Sequence, residues 1–295
     1  MNPKVSVVIA ARNEEIHVRE AVESILGQTG VTLELVFIDD NSTDRTHAIV
    51  EEIARGDDRL TLLRNPKQGK VSAFNLGVAT ARGEWVCIFS GDDVMPAGSL
   101  AERVAVVEAV PQDQPIAGLS RMITMCEDKS RDGMIVPRNP NKGSLSGSSY
   151  MMNRRALAIM WPAPENLPNE DTWLEMNALY RGITLVHSGV IGCAWRIHAG
   201  NSINLEVPYA EFNRKITPRM AAHGMFLDRY RDELDESARR ELAARVRCEE
   251  ARKKGDLAGI LTSGAGIVAS LRAASLSNAT LYGLRQRAYT LLSGW

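Results

Sequence analysis

Three pairs of neighbouring carboxylates stand where chemistry can be done with them: Asp39-Asp40, Asp92-Asp93 and Glu170-Asp171. The first two each close a short apolar run, LELVFI and EWVCIFS. In an open parallel sheet, ligands bind beyond the carboxyl ends of the strands, so doublets from separate strands are expected to converge there. Brought together they repel, unless a cation lies among them or a donor such as a base N–H bonds one of them. A hard divalent ion, Mg²⁺ or Mn²⁺, bridging a diphosphate meets both demands, because such ions favour carboxylate and phosphate oxygens. The competing reading is that an aspartate after a strand merely forms a turn. That reading is preferred for Asp44, in NSTDRT, as a cap. No Walker motif and no strand-linked G-x-G-x-x-G is present, so a P-loop or dinucleotide site is not expected.

Glu170 and Asp171 open the helical segment EDTWLEMNALYRG. Two readings stand side by side: carboxylates favoured by the helix dipole, or a general base that must be unprotonated and within reach of the hydroxyl it activates. In WRIHAGNS, alternation puts Trp195 and Ile197 toward the core and Arg196 and His198 toward a cleft. An arginine suits a phosphate and a neutral histidine suits a metal. His17, His47, His187 and His223 have no comparable setting.

The elements that must position these groups can be read from the hydrophobic pattern. VSVVIA (Val5–Ala10) is a continuous run, as a strand buried on both faces should be. A helical stripe through Ile16, Ala21, Val22, Ile25 and Leu26 follows, then Leu33–Ile38, a helix through Ile49, Val50 and Ile53, the strand Leu60–Arg64, a helix over Lys70–Thr80 and the strand Glu84–Ser90. Strand alternating with helix predicts an α/β fold, a mostly parallel sheet with right-handed crossovers. Beyond residue 115 the rhythm changes. Residues 127–149 read as loop, ITLVHS and VIGCAWRIH as a short strand pair, and the chain after residue 206 as helical.

The 295 residues are 44% hydrophobic with a net charge of −1, which suits a globular chain and excludes a general attraction to nucleic acid. Four scattered cysteines argue against a disulfide framework and for a reducing, cytoplasmic compartment. The first apolar run is too short for a secretory leader, and the longest uncharged stretch, Leu257–Leu271, is too short for a spanning helix. Charge is uneven: residues 206–295 carry +4 and the rest −5, and the last 39 residues hold Arg272, Arg285 and Arg287 with no acid. Leu271, Leu276, Leu281, Leu284, Tyr289, Leu291, Leu292 and Trp295 could form an apolar face there. That face either packs on the domain or lies on anionic lipid as an interfacial helix.

The blocks SVVIAARNEE, SILGQT, VFIDDNSTDRT, GKVSAFNLGVATARGEWVCIFSGDDVM, SGSSYMMNRRAL, NEDTWLEMNALYRG and WRIHAGNS resemble, in this order, the family 2 glycosyltransferases of GT-A fold. The resemblance covers roughly residues 4–205. It implies a nucleotide-sugar-binding half over residues 1–115, an acceptor-binding and catalytic-base half over 116–205, and a helical extension over 206–295. It implies that Ala10, Arg12 and Glu14 line the nucleotide pocket with Lys70 nearby, and that Asp39 or Asp40 accepts from the base, most commonly uracil. Asp92 and Asp93 resemble the D-x-D region, Asp93 as direct metal ligand. Ser90 stands where many members have aspartate, which leaves the ligand set open. Asp171 would be the catalytic base with Glu170 beside it, His198 a further metal ligand, and Arg196 a neighbour of the diphosphate.

The implied reaction is inverting transfer of a sugar from a nucleoside diphosphate, with Mn²⁺ or Mg²⁺, to a glycan or lipid-linked acceptor in cell-surface polysaccharide synthesis. The expected place is the cytoplasm, with peripheral contact at the inner face of the membrane through the tail. A soluble acceptor, a nucleotidyltransferase and a degenerate nucleotide-binding protein are the alternatives. AARNEE lacks the glycine-rich basic loop of a nucleotidyltransferase, and a degenerate site would have lost Asp93 or Asp171.

Overall fold

The computed structural model of the chain describes residues 2–129, 131–198 and 207–292. Its contacts divide into two compact units that meet between Ile197 and His198. The sequence-based boundary at residue 205 lies outside the described residues.

In the first unit, β1 (Val5–Ala11) and β2 (Leu33–Asp39) are buried along their whole length, which is why both read as unbroken apolar runs. They alternate with α1 (Val18–Leu26) and α2 (Thr46–Ala54), followed by β3 (Leu60–Arg64), α3 (Lys70–Thr80), β4 (Trp85–Ser90) and α4 (Ser99–Glu108). Pairing is parallel from β3 to β2 to β1 to β4. Because β1 lies between β2 and β4, the loops after these three strands emerge side by side, as the carboxylate argument requires. A core of Val7, Ile9, Val22, Ile25, Leu35, Phe37, Cys87 and Phe89 fixes α1 against this sheet.

The sheet continues through elements that the hydrophobic pattern does not disclose. These are β5 (Ile116–Met125), the two-residue β6 (Ile135–Val136), and β7 (Tyr150–Asn153), which runs directly into α5 (Arg154–Met160). β7 joins β4 to β5 with antiparallel pairing on both sides, and β6 also pairs with β5. The predicted loop over 127–149 therefore contains a strand and, at Gly147–Ser149, a single 3₁₀ turn. After α6 (Asp171–Tyr180), the predicted strand pair is instead one strand, β8 (Thr184–Arg196), parallel to β5. The register shifts that set in after His187, near Ser188 and Gly189, break its periodicity and account for the apparent division. The eight-stranded sheet is mixed but mostly parallel where the site lies.

The second unit is helical: α7 (Tyr209–Tyr230), α8 (Glu236–Lys254), α9 (Leu257–Thr262), α10 (Ile267–Ala274) and α11 (Ala279–Leu292). Its node is Arg252, 2% exposed, paired with Glu249 at 2.6 Å and donating to Asn213 Oδ1, Thr217 Oγ1 and Leu276 O. Leu276 is buried with Phe212 and Tyr282, so the apolar tail residues of the sequence do not share one outward face. No described helix is long and apolar enough to cross a membrane.

Candidate active site

The site begins with two loops locked to each other. Asn13 and Asn41, just past β1 and β2, both take positive φ (58° and 59°), a conformation asparagine tolerates better than most residues. Asn13 Oδ1 accepts from Thr43 N at 2.8 Å, Ser42 Oγ accepts from Asn13 N at 3.0 Å, and Thr46 Oγ1 accepts from Glu14 N at 2.7 Å. Asp44 organises this junction, accepting from Thr46 N at 2.9 Å and from Glu15 N at 3.1 Å. It does so from one position before the helix-capping residue, Arg45.

The first doublet is occupied by protein donors. Asp39, fully buried, accepts from Ser42 N at 3.0 Å and faces His47 Nδ1 at 3.1 Å and Arg64 Nε at 3.5 Å. His47, without a setting in the sequence, is thus a partner of the site. Asp40 accepts from Asn65 Nδ2 at 2.7 Å and with both oxygens from Gly69 N, at 2.9 and 3.1 Å. Gly69 sits at φ 136°, which only glycine adopts readily, and this turn delivers Lys70 as the first residue of α3. Arg12, exposed beyond β1, reaches the same turn, its guanidinium beside the Gln68 amide, whose oxygen accepts from it at 2.9 Å once the amide is turned over. Ala10 is buried at the end of β1 between Ile38 and Ser90.

Lys70 is paired with the acidic doublet at the start of α6. Its Nζ lies 3.2 Å from Glu170 Oε1 and 5.5 Å from the centre of the Phe74 ring. Glu170 does not cap α6 with its side chain. Burial pushes its carboxyl up, against the pull of Lys70. Asp171 accepts from Gly147 N at Oδ1 (2.8 Å) and from Asn169 Nδ2 at Oδ2 (3.1 Å). Glu170 makes no capping hydrogen bond, while Asp171 lies in the first turn of α6, where the helix dipole also favours a carboxylate. A Cβ on Gly147 would lie 2.8 Å from Asp171 Oδ1 and 3.1 Å from Glu170 Oε1 and from Ile88 Cδ1, so the 3₁₀ turn packs directly on the pair. Glu170 Oε2 and Asn169 Oδ1 are buried with no hydrogen-bond partner among the described residues.

The other doublet is electrostatically loaded. Asp93, 3% exposed, accepts from Arg196 N at 2.9 Å and from the Cys193 thiol at 3.4 Å. Burial, then the neighbouring Asp92, pushes it up to about 7. Glu14 is also pushed to about 7, by burial and then by Asp92, Asp44 and Asp93. The Arg196 guanidinium donates to Asp92 O at 2.7 Å and pairs with Glu20 at 2.5 Å. Backbone bonds between Val94 and Ala194 bind this loop to β8. Among the described residues no three His, Cys, Asp or Glu side chains gather to hold a metal by themselves. The residues nevertheless fit a divalent ion of the Mg²⁺ type, which uses one or two carboxylates and completes its shell with substrate phosphate and water. Asp92, Asp93 and Glu14 supply a desolvated excess of negative charge that such an ion would relieve. His198 opens the second unit, and Ala199–Ser202 of the WRIHAGNS block lie outside the described residues.

Gly147, Asn169 and Cys193 were not evident as site residues from sequence. Gly147 acts through its backbone N–H and its missing Cβ, and Cys193 reads as an ordinary core residue. Asn169, directly before the acidic pair and after three prolines, did carry a positional signal.

Residues 6–146 match the model of the glycosyl transferase family 2. A succinoglycan biosynthesis protein, ExoO of Rhizobium meliloti, is 36% identical over 107 residues, 36% of this chain and 30% of that protein. A Campylobacter jejuni protein, GalNAc(5)-diNAcBac-PP-undecaprenol beta-1,3-glucosyltransferase, is 36% identical over 101 residues, 34% of this chain and 33% of its own. The chain thus spans about a third of the curated relatives it matches. Among solved structures, Staphylococcus aureus TarS 1–349 in complex with UDP-GlcNAc superposes with a TM-score of 0.62 at 18% identity, over 98% of this chain and 92% of the other. Mannosyltransferase PcManGT from Pyrobaculum calidifontis, in complex with GDP-Man and Mn²⁺, gives 0.60 at 19% identity, over 100% and 81%. At these identities the likeness is one of fold, and it agrees with the predicted GT-A sheet.

Proposed function

We propose an activity from one premise: the chain belongs to glycosyl transferase family 2. It moves a sugar from a nucleoside diphosphate donor, a UDP-sugar in our reading, to a hydroxyl of a glycan or lipid-linked acceptor in cell-surface polysaccharide synthesis. The observation that carries this is the Glu170-Asp171 pair, where Lys70 Nζ lies 3.2 Å from Glu170 Oε1 and Gly147 N and Asn169 Nδ2 hold Asp171. A fixed cation thus stands beside the residue next to the candidate base. The nucleotide half is residues 1–115 and the acceptor half 116–205, with 206–295 as an extension.

Asp171 removes the proton of the acceptor hydroxyl as its oxygen attacks the anomeric carbon. The bond from that carbon to the diphosphate oxygen breaks, and a single displacement inverts the configuration. Gly147 N–H and the Asn169 amide hold the carboxylate in one orientation for this step, and Glu170 anchors Lys70 beside it. Arg12, Glu14, Ala10 and Lys70 border the nucleotide, Asp39 or Asp40 accepts from the base, and Arg196 lies toward the diphosphate. A divalent ion, Mn²⁺ or Mg²⁺, would be held by Asp93 beside Asp92, its shell completed by substrate phosphate and water, and would supply charge stabilisation to the leaving diphosphate. Two names support the donor and acceptor classes: TarS was solved with UDP-GlcNAc, and the Campylobacter relative is named for an undecaprenyl diphosphate-linked substrate.

Thermal unfolding with UDP, GDP, CMP and dTDP, each with and without Mn²⁺, tests the donor reading. UDP with Mn²⁺ at a hundred times its Kd is expected to add about 2.7 kcal/mol, a rise of roughly 4 °C or more for a chain of this size. The rise should vanish in Asp93→Ala. Failure of every nucleotide to move the transition would sink the proposal.

A further inference from the structure

The second unit turns its polarity inside out along α9 and α10. Leu257, Leu261, Ile267, Val268 and Leu271 are 42%, 66%, 79%, 82% and 61% exposed, whereas Ser263 and Ser270 are buried at 3% and 4%. The serines are fixed there: both hydroxyls donate to Ile260 O, at 2.7 and 3.3 Å. Ala273 and Ala274 pack inward beside them against Cys248, Ala251 and Ile260. A single exposed leucine needs no explanation, but five large apolar residues outward with serines inward mark a surface that another apolar phase covers.

Charge says which phase. Lys253 and Lys254 close α8 just before this face, and Arg272 follows Leu271, all three exposed. Residues 257–295 contain no aspartate or glutamate. Asp256, immediately before, is turned to cap α9, accepting from Gly259 N at 2.9 Å. A second copy of the chain docking through this face by two-fold symmetry would bring the same patch against itself. Arg272 and the lysines would then meet their own kind, with no carboxylate on α9 or α10 to pair with them. A layer of lipid phosphate has the complementary charge, and its acyl boundary accepts the apolar side chains.

We propose that the α9–α10 face is a docking surface for an anionic bilayer. Leu261, Ile267, Val268 and Leu271 enter the headgroup–acyl boundary while Lys253, Lys254 and Arg272 lie at phosphate level. This does not depend on the proposed reaction, although it would place a lipid-linked acceptor beside the enzyme.

The test is flotation of the full chain with vesicles of phosphatidylcholine alone and of phosphatidylcholine containing one third phosphatidylglycerol. Wild-type protein should float with the anionic vesicles about tenfold more than with the neutral ones. The double variant Val268→Ser, Leu271→Ser should lose about tenfold of that partitioning. Both side chains are exposed, so its unfolding temperature and its response to UDP should not move. No binding to anionic vesicles, or binding unaltered in the double variant, would overturn the proposal. So would a dimer that the double variant dissociates in the absence of vesicle binding.

Discussion

Replacement of Asp171 by asparagine should lower kcat by about 10²–10⁴-fold, the usual contribution of a positioned general base, while leaving nucleotide-dependent thermal stabilisation intact. Few substitutions separate chemistry from structure so cleanly. The amide is nearly isosteric, and its oxygen can keep the 2.8 Å bond from Gly147 N. Its NH₂ would face the Asn169 amide, which now donates to Asp171 Oδ2. That clash is relieved if the Asn169 amide turns over, because its buried Oδ1 has no other partner among the described residues and can then accept. The fold should therefore tolerate the change, and the unfolding temperature should stay within about 2 °C. UDP release from the preferred UDP-sugar measures the chemical step. A variant that stays within a few-fold of wild type would show that Asp171 is not the base.

The contrast between what the sequence disclosed and what it hid follows from how each group works. β1, β2 and β4 were legible because strands covered on both faces read as apolar runs, and the carboxylates after them were legible because their types are rare in such settings. β6 and β7 are two and four residues long, too short for any period to emerge. β8 was read as two strands because Ser188 and Gly189 interrupt it near the register shifts. In the second unit, helicity was legible but orientation was not. Leu276 turns inward while Ile267 and Val268 turn outward, so the outward apolar face differs from the stripe that leucine spacing suggested. In the site, side chains that act by charge were found, whereas Gly147 acts by an N–H and an absent atom. No residue-type pattern marks either.

Gly147 for that reason carries the second large prediction. An alanine methyl there would meet Asp171 Oδ1 at 2.8 Å, Glu170 Oε1 at 3.1 Å and Ile88 Cδ1 at 3.1 Å. None of the three can retreat easily. Ile88 lies in the buried strand β4, Glu170 is held by Lys70, and Asp171 is held by the N–H of Gly147 itself. Overpacking of this kind costs about 1–3 kcal/mol, which should lower the unfolding temperature by several degrees. A second effect falls on chemistry. Relieving a 2.8 Å contact displaces the base by about half an ångström, and since a 1 Å misplacement costs on the order of 10²-fold in rate, Gly147→Ala should lose about 10-fold in kcat, with a much smaller change in KM for the donor. Because the methyl acts through Asp171, adding Gly147→Ala to Asp171→Asn should reduce kcat by little more than Asp171→Asn alone. The double-mutant cycle thus separates a positioning role from general damage. Two losses that simply multiply would mean that Gly147 acts on something other than the base, and a fully active Gly147→Ala would mean that the turn does not position Asp171 at all.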